Sequence, residues 1–138
     1  MQRPQGVTIL AVLAAIGGVM GLFGAIALFG LGALSGAALA AAGAAGQGFM
    51  TGGFAMFWAL ITLVQSAGSL GFAYGAWFLK PWAWKLGIGI EAFGILIALV
   101  NLIGGSSNFF SFLISAAIAG AIIYYLMQPG IKRAFGQP

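Results

Sequence analysis

Only six of the 138 residues carry a charged side chain. That scarcity constrains the fold more than any motif. A soluble domain is typically about a quarter charged, and six charges cannot cover a water-facing surface around a chain that is 62% hydrophobic. The apolar side chains must be covered by lipid instead. The expected fold class is all-α, because a helix satisfies every backbone N–H and C=O within its own segment.

Four apolar segments are long enough to span a bilayer core of about 30 Å. They run approximately over residues 7–34, 54–79, 86–103 and 109–127. Lys80-Pro81 stops the second, since proline disfavours helix in the residue before it and lacks an N–H. Gly104-Gly105-Ser106-Ser107-Asn108 separates the third from the fourth, and Gln128-Pro129-Gly130 ends the fourth. Residues 35–53, rich in Ala and Gly, read as a loop with possible helical content. Short connections make successive spans antiparallel neighbours, so the expected architecture is a single up-down four-helix transmembrane bundle.

The five basic residues lie on one side of these segments. Arg3 precedes the first, Lys80 and Lys85 lie between the second and third, and Lys132 and Arg133 follow the fourth. Cytoplasmic loops retain Lys and Arg, so both termini and the middle connection are expected inside. Trp77, Trp82 and Trp84, with Tyr124 and Tyr125, fall on the same side. Arg3, Lys80, Trp82, Trp84, Lys85, Lys132 and Arg133 are therefore the expected inner-interface anchors. Phe54, Phe57, Trp58, Phe109 and Phe110 flank the opposite ends. A few cations at membrane boundaries fit anionic headgroups. Nucleic acid, which needs a basic stripe neutralising many phosphates, is not an expected partner.

Glycine is abundant, at 24 residues, against a usual share of about 7%. Gly17 and Gly21 form a G-x-x-x-G pair continued by Ala25, and Ala67, Gly71 and Gly75 repeat the interval. Small residues four apart let helix backbones approach closely in lipid. Gly17, Gly21, Gly71 and Gly75 are thus the expected helix-packing positions, either within the bundle or against other chains.

Polar chemistry is confined to a few residues. Glu91 is the only acidic side chain. It lies six residues past Lys85, about 9 Å along a helix, within the membrane but off its centre. Tyr74 is at a similar depth on the preceding span, so a Tyr74 hydroxyl to Glu91 carboxyl hydrogen bond is expected. Gln65, Ser66 and Ser69 form a polar patch in the middle of the second span. The serines are expected to bond back to their own helix, and Gln65 to join two helices. With no Cys and no His, thiolate chemistry, imidazole-ligated haem and His-based metal sites are excluded. No metal site and no catalytic set is expected. Gly87-Ile88-Gly89-Ile90-Glu91-Ala92 matches a dinucleotide fingerprint only formally, because the strand such a motif requires is missing.

Three stretches belong together: Arg3-Pro4-Gln5-Gly6-Val7, Ala73-Tyr74-Gly75-Ala76-Trp77-Phe78-Leu79-Lys80-Pro81-Trp82-Ala83-Trp84, and Tyr124-Tyr125-Leu126 with Pro129, Lys132 and Phe135-Gly136. The combination resembles a broad group of small prokaryotic membrane proteins with four predicted spans. That resemblance implies a multi-pass protein of the prokaryotic cytoplasmic (inner) membrane and carries over no catalytic residue. The segment 35–53 and Glu91 lie outside the shared pattern.

The expected function is that of a non-catalytic accessory subunit. It would pack against helices of a larger respiratory or photosynthetic membrane complex and touch lipid or pigment through apolar contact. Two alternatives are a small transporter or channel with a polar path at Glu91, Tyr74 and Gln65, and a membrane assembly factor. A rotary proton-carrying proteolipid fits less well, because Glu91 is off-centre and a dense alternate-glycine helix is missing.

Overall fold

The computed structural model describes residues 3–138, and all regular structure among them is helical. The elements are α1 (Gln5–Ala41), α2 (Ala45–Trp77), α3 (Pro81–Ile103), α4 (Phe109–Leu126) and the short α5 (Pro129–Ala134). The first four are long and apolar enough to cross a membrane. The chain is an all-α, multi-pass membrane protein.

The stretch 35–53, expected as a loop with possible helical content, is helical on both sides of a three-residue turn. α1 runs on to Ala41 and α2 begins at Ala45. Alanine has the highest helix propensity of all residues, and the Ala runs here outweigh the intervening glycines. At 1.5 Å per residue the 37 residues of α1 measure about 56 Å, well beyond a bilayer core of about 30 Å. At the other end of α2, Pro81 occupies the first turn of α3, where its missing N–H costs nothing. Trp82, Trp84 and Lys85 therefore sit on the opening turns of a helix that starts five residues before the apolar segment at 86.

Four helices end in the same device. The N–H two residues past the cap reaches back to a carbonyl five residues earlier, and the residue between adopts positive φ. Ala44 N–H donates to Leu39 O at 2.8 Å, Lys80 to Gly75 O at 2.7 Å, Ser106 to Asn101 O at 2.9 Å and Gln137 to Lys132 O at 2.8 Å. This is the Schellman pattern, which satisfies the last carbonyls of a helix. Glycine provides the left-handed residue at Gly43, Gly105 and Gly136, but Leu79 takes φ +50° at the end of α2. α4 starts on Asn108, whose side-chain oxygen accepts the Ser111 N–H at 2.7 Å.

The chain forms two compact units. The first comprises Ala15–Leu70, an antiparallel hairpin of α1 and α2 without a single charged residue. Its seam is built from small side chains spaced by seven. Gly18, Ala25 and Gly32 on α1 are buried, as are Gly52, Ala59 and Ser66 on α2. A Cβ added at Gly36 would lie 3.0 Å from Gly48 O, and one at Gly32 would lie 3.1 Å from Gly52 O. The two backbones are in direct contact, which is how helices associate in lipid. A seven-residue repeat keeps such a seam in register along both helices.

The second unit comprises the described part of Met1–Ala14 with Gly71–Pro138. Its core is Val7, Ala11, Phe72, Ala76, Ala83, Leu126, Ile131 and Phe135, with Leu79, Trp84 and Tyr125 packed against it. Val7, Leu126 and Phe135 are fully buried. Gly87 makes room for this core, because a Cβ there would lie 2.5 Å from the Phe72 ring. The centre of this unit lies where the start of α1, the α2–α3 turn and α5 meet.

Candidate functional site: a basic aromatic rim

All five cations, all three tyrosines, three of the four tryptophans and the lone carboxylate belong to the second unit. Two tryptophans organise its rim. Arg3 lies over the Trp77 ring, 4.0 Å from the centroid. Its Nη1–H donates to the Trp77 carbonyl at 2.8 Å and its Nε–H to Thr8 Oγ1 at 2.9 Å. A cation over an indole contributes about 0.5–1 kcal/mol at an exposed site. The same guanidinium also neutralises the negative end of α2. Arg3 thus fastens the start of α1 to the end of α2.

Trp84 fastens the other elements. Its indole N–H donates to the Leu126 carbonyl at 2.7 Å, joining the start of α3 to the end of α4. Lys132 Nζ stands 5.4 Å from the centre of the same ring. Gln137 Nε2 donates to Pro81 O at 3.0 Å, and Ile131 and Phe135 are buried. α5 is therefore packed down by its apolar face and tied to the opening of α3. The three sequence stretches singled out above converge on this rim.

The remaining cations are differently placed. Lys80, Lys85 and Arg133 are exposed, and no hydrogen bond or ion pair engages their side chains among the described residues. Trp82, between Lys80 and Lys85 in the sequence, is 47% exposed.

The polar candidates inside the spans do not assemble. Tyr74 and Glu91 form no hydrogen bond. Tyr74 is 60% exposed and its ring lies against Phe78, 4.9 Å between centroids. Equal depth on adjacent helices does not set the direction in which a side chain leaves its helix, and Tyr74 points away from the core of its unit. Glu91 is half-buried without a hydrogen-bond or ion-pair partner among the described residues.

Gln65, in the uncharged hairpin, makes no side-chain hydrogen bond to another helix among the described residues. Its carbonyl accepts the Ser69 hydroxyl at 3.0 Å, and Ser66 bonds back to Thr62 O at 2.7 Å.

The packing glycines also divide. Gly21 lies against Ser66, and a Cβ at Gly75 would lie 2.5 Å from the Ala83 side chain, whereas Gly71 meets only Leu86, at 3.3 Å. Gly17 faces open space. The seam passes one residue further on, through Gly18, which is in line with Ala25 and Gly32 at the seven-residue interval. Gly18, Gly32 and Gly52 were legible by that interval, and Gly36 and Gly48 extend the seam four residues beyond Gly32 and Gly52. Gln137 and the Leu126 carbonyl were not legible, because they act through tertiary hydrogen bonds.

The hairpin also carries two apolar clefts. One, of about 360 Å³, is lined only by Gly, Ala, Phe49 and Met56. The other, of about 220 Å³, lies between Ala25, Ile26, Phe29, Ala59, Leu60 and Leu63. Neither offers a polar side chain to fix a ligand's orientation. Among the described residues no group of three His, Cys, Asp or Glu is placed to hold a metal. Comparison of the chain with protein-family models, with curated proteins and with solved structures found no match.

Proposed function

We propose that this chain is a non-catalytic accessory subunit of a larger membrane complex. It sits in a prokaryotic cytoplasmic membrane with its basic rim on the cytoplasmic side, as the one-sided Lys and Arg distribution favours. One observation carries the subunit reading: the hairpin has more small-residue surface than its own seam uses. Gly17, Gly24 and Gly30 on α1, and Gly46 and Gly53 on α2, are exposed, with nothing within 4 Å of where a side chain would begin. Exposed glycines on spanning helices are positions where another helix can approach to backbone contact. Respiratory or photosynthetic assemblies, dense in packed spans, suit such a surface. The apolar clefts suit acyl chains or pigment tails held by shape alone.

The experiment is a photo-crosslinking side chain placed at Gly24 in native membranes. The subunit reading expects a defined adduct with another membrane chain. Adducts to lipid alone would overturn it.

A further inference from the structure

We infer that the rim formed by the α2–α3 turn and α5 is a binding site for the anionic headgroup of a membrane phospholipid. The first ground is charge. Five cations face one carboxylate in the whole sequence, and that carboxylate, Glu91, lies about 9 Å up α3 from Lys85. No ion pair neutralises any of the five among the described residues. Arg3 and Lys132 are held over the Trp77 and Trp84 rings. Lys80, Lys85 and Arg133 are left exposed with their charge unanswered.

The second ground is construction. Arg133 and Lys132 are not on a loose tail. Ile131 and Phe135 are buried beneath them, Gln137 is bonded to Pro81 O at 3.0 Å, and Gly136 lies alongside the Pro81 ring. These ties bring the cations of α5 to the opening of α3, where Lys80 and Lys85 stand. Trp82, 47% exposed between them, has the amphipathic ring that settles at headgroup level.

The third ground is location. The rim closes the ends of helices long and apolar enough to cross a membrane, and the ends of such helices meet the headgroup layer. A phosphodiester there meets several lysine or arginine charges at once while its acyl chains stay in the bilayer. The occupant is thus a lipid of the surrounding membrane, not a free phosphate. This site is independent of any partner subunit.

The test uses the full chain in nanodiscs of phosphatidylcholine alone or with phosphatidylglycerol. Its readouts are lipid retained by the detergent-extracted protein, by native mass spectrometry, and thermal stability in each disc. The expected result is selective retention of phosphatidylglycerol and higher stability in its presence. Lys80→Gln, Lys85→Gln and Arg133→Gln should each lower the preference roughly fivefold, while Arg133→Lys should keep it. Helical circular dichroism and unchanged elution certify that each variant is folded. Equal retention of both lipids by folded wild-type protein overturns the inference. So does inorganic phosphate that stabilises the protein in neutral discs as well as the lipid does, or salt-labile capture of an acidic protein with no lipid preference.

Discussion

Gly32 and Gly52 meet backbone to backbone across the hairpin, so closely that a Cβ on Gly52 would lie 2.7 Å from the Gly32 carbonyl oxygen. That single approach explains why the uncharged hairpin needs glycine, and it separates two glycine populations by what each can tolerate. Gly52→Ala must push the helices apart, at about 1–3 kcal/mol for overpacking. Gly17→Ala, at a position facing open space, gains helix propensity of up to about 1 kcal/mol. Unfolding in mixed micelles, followed by circular dichroism, should show the two changes moving stability in opposite directions.

Leu79 occupies the left-handed position that glycine fills at the other three Schellman caps. A β-carbon there costs about 1–2 kcal/mol, offset by the packing of the Leu79 side chain on the core. Leu79→Ala loses the packing and keeps the strain, whereas Leu79→Gly loses the packing and relieves the strain. The glycine variant should therefore be the more stable of the two by about 1 kcal/mol, the reverse of their order inside a helix. Melting temperatures of both variants decide this.

Trp84 holds three elements through one ring. Trp84→Phe removes the indole N–H that reaches the Leu126 carbonyl, worth about 0.5–1.5 kcal/mol, and weakens the stack with Lys132. The C-terminal helix should loosen before the rest of the protein does. Limited trypsin digestion should cut after Lys132 or Arg133 several times faster in the variant, with the spanning helices left intact.

Glu91 separates the subunit reading from a transport reading. A carboxylate that only rests half-buried in α3 can be replaced by its neutral amide with little consequence. Glu91→Gln should leave both the fold and any co-purifying chains unchanged, and vesicles with and without the substitution should show the same proton and cation leak. A flux present in the wild type and absent in Glu91→Gln would move the function to transport.

Much of the fold was legible because membrane solvation allows few solutions. The scarcity of charge pointed to four apolar helices, and Lys80-Pro81 and Gly104-Gly105 marked where chain direction changes. The segment 35–53 read as a loop with possible helical content, and its Ala runs make it helical on both sides of a three-residue turn. Hydropathy boundaries set the start of α3 too late, since Lys85 and the tryptophans before it are helical though they lower the mean hydropathy. The rim was legible as a list of residues, but not as a network. Charge and aromatic position brought Arg3, Trp77, Trp84 and Lys132 to one side of the membrane. Which cation stacks on which ring depends on tertiary packing that neither periodicity nor spacing encodes. Tyr74 and Glu91 failed as a pair for the same reason.

Association with other membrane chains is the central claim, and quantitative co-purification tests it most directly. The tagged chain should be extracted from its native membrane in a mild detergent and its companions identified and counted. The subunit reading predicts one or more integral membrane proteins at a fixed ratio to this chain, persisting through size-exclusion chromatography. A 14.0 kDa chain that elutes alone in its micelle, under conditions that preserve known complexes of the same membrane, would contradict it.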